Sequence, residues 1–136
     1  MIYTRLTNQH PNFYFYVGPL LSRRAIVKQL GSPVWDDDGK IWVIAHIASL
    51  SEAVSISAIT VKGTKAYLSS AYVIPAFRKQ GIYLHLLDRR ISVAREHRAH
   101  TITAVATEMS LHGLQSRGFA VRSRKGRFYR MEMALA

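Results

Sequence analysis

Val73-Ile74-Pro75-Ala76-Phe77-Arg78-Lys79-Gln80-Gly81-Ile82-Tyr83 decides how this chain is to be read. Before it lies a β-like stretch reaching Ile74; after it, apolar residues recur at helical spacing. Pro75 suits a strand end, where a ladder donor is no longer needed, and Gly81 permits a turn that other residues resist. The run is therefore strand, basic turn, helix start. Amides at a helix N-terminus have no partner within the helix and sit at the positive end of its dipole. With Arg78 and Lys79 beside them, they suit phosphate, and a pyrophosphate-bearing cofactor fits the turn.

Beyond the turn, Leu84, Leu87, Ile91 and Ala94 predict a helix over about Ile82 to Arg98, with Arg89, Arg90, Arg95 and Arg98 on its wet side. Ahead of it, Ala53 to Val61 and Lys65 to Ile74 read as strands joined by a hairpin at Lys62-Gly63-Thr64. Ile41 to Ile47 is a strand following the acidic turn Asp36 to Gly39, itself preceded by Ser32-Pro33. A short helix is expected from an N-cap at Ser22 to Leu30, closed by Gly31. The alternation in Phe13-Tyr14-Phe15-Tyr16-Val17 predicts a strand over Asn12 to Leu21. Downstream come a strand at Thr101 to Ala106, a helix at Glu108 to Arg117 stopped by Gly118, and a hairpin of Ala120 to Ser123 with Arg127 to Leu135. The expected order is β-α-β-β-β-α-β-α-β-β.

The Val73–Tyr83 run resembles the acyl-CoA loop of the Gcn5-related N-acetyltransferase (GNAT) superfamily, V-x-P-x-(Y/F)-R-(G/K)-x-G-x-(G/A). Val73, Pro75, Phe77, Arg78 and Gly81 fall in place, while Tyr83 stands where that family has a small residue. A second segment resembles the family's N-x-x-A-x-x-x-Y-x-x-x-G-F. Gly118 and Phe119 match it, and Thr107, Ser110 and Leu114 stand at the Asn, Ala and Tyr positions. The resemblance implies an α/β (α+β) fold, with a mixed, mostly antiparallel central sheet flanked by helices. It covers about residues 41–135, and the first 40 by topology alone, with one of the family's two early helices reduced or missing.

It also implies an acyl-CoA, most often acetyl-CoA, as cofactor, and direct transfer of the acyl group to an amine. Backbone groups of Tyr72, Val73 and Ile74 would then hold the pantetheine and polarise the thioester carbonyl. The segment Arg78, Lys79, Gln80, Gly81, Ile82, Tyr83 would hold the pyrophosphate, and Thr107 would offer a hydroxyl to the pantetheine. The family's tyrosine often protonates the departing thiolate, which Leu114 cannot do. From the residues themselves, Ser110, Tyr129 and His46 are the candidates for moving a proton: Ser110 lies one turn before Leu114, Tyr129 in the last strand, and His46, on the second strand, is of the residue type used for proton transfer around neutral pH.

The 136 residues, 49% hydrophobic and 20% charged, form one globular domain, 1–136. Without cysteine there is no disulfide framework, thiolate metal site or cysteine acyl-enzyme. The histidines show no metal-ligand spacing, so no metal site is expected. With no membrane-length apolar run and no leader in MIYTRLTNQHPNF, a cytoplasmic protein is expected. The net charge of +11 is lopsided, with residues 1–68 carrying +3 and residues 69–136 carrying +8. Such a field attracts polyanions. It points to an anionic acceptor, nucleic acid ahead of acidic protein, met by Arg122, Arg124, Lys125 and Arg127. The alternatives are a GNAT-fold nucleic-acid-binding module with altered catalysis, and acetylation of a protein lysine or small molecule. A merely solvated basic face and a homodimer both remain open.

Overall fold

The computed structural model describes residues 1–21, 23–31 and 36–135; the cap expected at Ser22 and the turn at Ser32-Pro33 lie outside them. Strand β1 (Ile2–Leu6) is followed by helices α1 (Phe13–Leu21) and α2 (Arg24–Leu30). Strands β2 (Lys40–His46), β3 (Ala53–Lys62) and β4 (Lys65–Val73) come next, and a single 3-10 turn at Pro75–Phe77 leads into helix α3 (Ile82–Glu96). Strand β5 (Thr101–Ala106), helix α4 (Glu108–Ser116) and strands β6 (Ala120–Lys125) and β7 (Phe128–Ala134) complete the chain. The sheet runs β1-β2-β3-β4-β5-β7-β6. Every pairing is antiparallel except β4 with β5.

The expected fold class is present, but its order is corrected at the N-terminus. Within the stretch expected to be a strand, Asn12–Leu21, residues Phe13–Leu21 are helical, and β1 is an additional strand. Phe13, Tyr16, Val17 and Leu20 are buried at the i, i+3, i+4, i+7 spacing of one helix face, leaving Tyr14 and Phe15 exposed. That face packs with Ile26 of α2 onto Trp42, Ile44, Ile56, Ala58 and Tyr72 of the sheet. Both early helices are therefore present. Helix α2 ends on Gly31, whose φ of +84° gives the left-handed cap expected of it.

The opposite face of the sheet carries α3 and α4. Leu87, Ile91 and Ala94 of α3 pack against Ile59, Ala66, Ile102, Ala104 and Met131, with Leu114 of α4 beside them. Arg90 contradicts the sequence reading: it is 1% exposed and not on the wet side of α3. Its position explains this, since it lies three and four residues after the buried Leu87 and Leu86.

Two features of the sheet shape the site. Strands β4 and β5 pair only through Lys65–Thr101, Ala66–Ile102 and Tyr67–Thr103, and beyond that point their backbones part. Between the pairs Ala58–Ser69 and Ile56–Tyr72, β3 advances by two residues and β4 by three. The extra residue is a bulge, and Ser70 within it has φ of +59°. A bulge bends its strand, and this one turns β4 away from β5 and opens a wedge.

Candidate active site

The wedge between β4 and β5 opens into a cavity of about 810 Å³, running from Leu68 and Ala104 out to the turn at Arg78–Gly81. Helices α3 and α4 form one side of it.

At its mouth, Lys79 (φ +62°) and Gly81 (φ +79°) are both left-handed, and Gly81 caps α3. Alternation of this kind gathers successive amides into a concave cradle for an anion. Among the described residues no backbone acceptor takes the amides of Lys79, Gln80, Gly81, Ile82 or Tyr83; the first bond of the helix runs from the His85 amide to the Gly81 carbonyl. A Cβ placed on Gly81 would meet nothing within 4 Å, so the space above the cradle is open. These observations fit a pyrophosphate.

Arg78 plays a different part. Its amide closes the turn on the Pro75 carbonyl at 3.3 Å. Its Nε donates to the Val73 carbonyl at 2.8 Å, its Nη2 to Gln29 Oε1 at 2.8 Å, and its guanidinium lies over the Tyr72 ring. The side chain thus braces the loop against β4 and α2, and the open amides begin at Lys79. The backbone of Tyr72, Val73 and Ile74 is similarly fixed: the Tyr72 carbonyl accepts from Ser55 Oγ at 2.8 Å, and the Ile74 amide donates to the Val54 carbonyl at 3.0 Å. From Leu68 onward, however, the edge of β4 toward β5 is unpaired.

Tyr83, too large for a conventional loop of this type, leans away from the cradle toward α4. A Cβ on Gly113 would lie 2.9 Å from Tyr83 Cε1, so the ring occupies the space that glycine leaves. Its hydroxyl lies near enough to Ser110 and Arg90 for both to act on its ionisation. Burial pushes its pKa up, while the neighbouring guanidinium and the Ser110 hydroxyl pull it back. Ser110 is the third residue of α4, and its Oγ accepts from the Thr107 amide at 3.2 Å, so one side chain both closes the helix start and faces the cavity.

The structure brings Ser110, Thr107, Tyr83 and the loop together around the cavity, but not His46 or Tyr129. His46 is 2% exposed at the end of β2, with Nδ1 on the Ala48 carbonyl at 2.6 Å and Nε2 on Thr4 Oγ1 at 2.7 Å. Both ring nitrogens are occupied by structure. The Tyr129 hydroxyl donates to the Glu108 carboxylate, which raises its pKa, and its ring lies beneath the Arg124 guanidinium. It ties β7 to the start of α4.

Sequence reasoning missed two cations in the cavity wall. Lys40, over the Trp42 ring, has its pKa lowered by burial, with Asp37 and Asp36 opposing. Arg90 has its pKa pushed down to about 10 by burial. Its Nη1 reaches the Ala58 carbonyl at 3.4 Å, and its Nε has no partner. The helical spacing that put Arg90 on the buried stripe was the available signal.

The hairpin of β6 and β7 forms part of the rim, and its Phe128 lines the cavity. Strand β6 is exposed throughout. Arg117 is paired with Asp88 at 2.6 Å and Arg130 with Glu132 at 3.2 Å. Among the described residues, Arg122, Arg124, Lys125 and Arg127 have no carboxylate partner; Arg124 and Arg127 donate instead to the carbonyls of Gly126 and Lys28.

The family model described as "Acetyltransferase (GNAT) family" matches residues 3–120. Among solved structures, Escherichia coli ElaA superposes with a TM-score of 0.78 at 14% identity, covering 98% of this chain and 99% of that one. A putative acyl-CoA N-acyltransferase from Klebsiella pneumoniae gives 0.70 at 19% identity, covering 99% and 97%. A GNAT family acetyltransferase from Elizabethkingia anophelis, solved with acetyl-CoA bound, gives 0.68 at 13% identity, covering 98% and 97%. At these identities the superpositions speak for the fold. No curated protein matches the chain.

Proposed function

The chain belongs to the acetyltransferase (GNAT) family and is a GNAT-type N-acyltransferase with acyl-CoA as cofactor, and we propose that it passes the acyl group directly to an amine on an anionic acceptor, with nucleic acid ahead of acidic protein. The observation carrying the acceptor class is the rim hairpin. It contributes Phe128 to the cavity wall and holds Arg122, Arg124, Lys125 and Arg127 without carboxylate partners among the described residues. Cations so placed attract phosphates strongly at low salt, and they repel small polyamines.

Bound acyl-CoA supplies an electrophilic thioester carbonyl, and this chain supplies position and a proton. The amides of Lys79 to Tyr83 hold the pyrophosphate, and the unpaired edge of β4 beyond Leu68 takes the pantetheine. An amine held about 3–3.5 Å from the reacting carbon needs little further help. Without cysteine there is no cysteine acyl-enzyme, and in this reading the acyl group passes directly from the thioester to the amine. The departing sulfur needs a proton that Leu114 cannot give. In this reading it comes from the Tyr83 hydroxyl, held protonated at neutral pH by burial, with Arg90 and Ser110 stabilising the tyrosinate left behind.

Titration calorimetry with acetyl-CoA, followed by acyl transfer to single-stranded oligonucleotides and to acidic peptides bearing amines, tests the reading. Cofactor binding with transfer to the oligonucleotide supports it. Transfer to the peptide alone sinks the preference for nucleic acid, and transfer to small neutral amines alone sinks the anionic acceptor.

A further inference from the structure

Among the described residues, Arg90 is the one arginine fully buried in the wall of the cavity. Its place is the narrow end of the wedge. The Ala58 carbonyl that it touches belongs to the register partner of Ser69, two residues past the last β4–β5 pair at Tyr67–Thr103. A buried guanidinium ordinarily has a carboxylate and a full set of acceptors. Arg90 has a long bond to one carbonyl, the Tyr83 hydroxyl, and an Nε without a partner; no acidic side chain among the described residues pairs with it. Around it the wall is apolar, formed by Leu68, Ala104 and Leu114. A buried guanidinium with an orphaned Nε at the end of an apolar slot describes a receptor lacking its acceptor group.

Position decides which molecule brings that group. Arg90 stands on the helix that opens with the amide cradle, on the sheet face covered by α3 and α4. Across the bulge, Ser69 and Tyr72 face Ala58 and Ile56, two residues apart on β3, so they lie roughly 7 Å apart along the sheet. An acyl chain whose carbonyl lies beside Tyr72–Ile74 therefore points its far end at Arg90. An acetyl group is too short to reach it.

We propose that this chain transfers an acyl group ending in a carboxylate, of the malonyl-to-glutaryl class, and that Arg90 receives the carboxylate at the narrow end of the wedge. The inference rests on the acyl-CoA-dependent reading above. In the transfer the amine nitrogen forms the new C–N bond, the C–S bond breaks, and the amine's proton is balanced by the proton delivered to sulfur. The distal carboxylate is unchanged, and no oxidant or reductant takes part.

Calorimetry of the full chain at about physiological ionic strength tests this, comparing succinyl-CoA with 4-methylpentanoyl-CoA, in which two methyl groups replace the carboxylate oxygens. The expected result is at least a tenfold preference for succinyl-CoA. In Arg90→Met the preference collapses to parity or reverses; a general attraction of the +11 chain for one more negative charge would persist in that variant. If Arg90→Met does not fold, the comparison in the unaltered chain decides. Binding of both thioesters without preference overturns this proposal alone, as does a preference that survives in folded Arg90→Met. If neither thioester nor acetyl-CoA binds, the acyltransferase reading falls and this proposal falls with it.

Discussion

Gly113→Ala is the sharpest probe of how the cavity wall is built. A methyl group at this position of α4 would lie 2.9 Å from Tyr83 Cε1, 3.3 Å from Tyr83 Cδ1 and 3.3 Å from Leu84 Cδ2. The leucine methyl can give way by rotation. The tyrosine ring cannot turn aside freely, because it is rigid and packed between α3 and α4 with its hydroxyl toward Ser110 and Arg90. Relieving the contact means moving the ring or separating α3 from α4, and overpacking of this kind costs about 1–3 kcal/mol. Against it stands the helical gain of alanine over glycine, about 1 kcal/mol. The net effect is destabilisation by about 1 kcal/mol, or about 3–5 °C in Tm for a domain of this size.

The discriminating step is the double-mutant cycle. With Tyr83→Ala the ring is gone, and Gly113→Ala then expresses only its helical gain, so its sign reverses. The coupling between the two positions is about 2 kcal/mol, large for any pair not in contact. Urea denaturation of the four proteins measures it. If Gly113→Ala stabilises the unaltered chain as much as it stabilises Tyr83→Ala, the ring does not lie against α4 and the description of the cavity wall is wrong.

Arg90→Met is expected to raise stability by about 1–3 kcal/mol at neutral pH, since it removes a buried charge that lacks a carboxylate; equal or lower stability by urea denaturation counts against the burial argument. Because burial holds the folded pKa of Arg90 at about 10, below the ordinary arginine range, the unfolded chain binds more protons between that value and the ordinary one. The contribution of Arg90 to stability therefore rises with pH across that window, and the advantage of Arg90→Met narrows above pH 10. Gly81→Ala places a methyl in open space at φ +79°, costing about 1–2 kcal/mol of backbone strain, and should weaken acetyl-CoA binding at least tenfold in calorimetry while the domain still folds. Tyr83→Phe should lower kcat by about 100-fold or more with little change in KM, and an unaltered kcat removes Tyr83 as the proton source. Neutralising Arg122, Arg124, Lys125 and Arg127 together should flatten the salt dependence of oligonucleotide binding by about one unit of log–log slope per lost phosphate contact.

How far the sequence reached depended on what kind of interaction each feature uses. The backbone shape of the Val73–Tyr83 loop was legible because it is written directly in residue types: Pro75 follows the strand end and Gly81 takes the positive φ, whereas the bracing of the turn by Arg78, expected to face an anion, was not. The hairpins and most strand limits followed from the same kind of local chemistry. Helix α1 was not legible, because Phe13 to Val17 contains no polar residue to mark a face, so periods of 2 and 3.6 fit it equally. Only the sheet beneath it, through Trp42 and Tyr72, selects the helix. Arg90 was misplaced because a residue type was weighed above its position on the α3 stripe. Among the proton-transfer candidates, Ser110 reaches the cavity, whereas His46 and Tyr129 were chosen for chemistry without any means of seeing that neighbouring strands and α4 already use their polar atoms.

Two departures from the family pattern, at positions 83 and 114, are better understood together with the buried Arg90 as one repacking than as separate losses. A tyrosine at 83 is tolerated only because residue 113 has no Cβ, and its ring then spans from α3 to α4. Its hydroxyl ends on Ser110, which lies one turn before Leu114 and so on the same face of α4. A hydroxyl is therefore present beside the position where the family carries one on α4, but it is delivered from the opposite helix. Leu114, 1% exposed, fills the core that this exchange leaves. Arg90 completes the set, since the Tyr83 hydroxyl is one of the few groups that partner its guanidinium. Restoring the pattern one residue at a time should accordingly fail: Leu114→Tyr alone adds a second aromatic ring to a wall already filled by Tyr83, and it should destabilise the domain unless Tyr83→Gly accompanies it. If Leu114→Tyr is accepted without Tyr83→Gly, at unchanged Tm, the two positions are independent and the repacking argument fails.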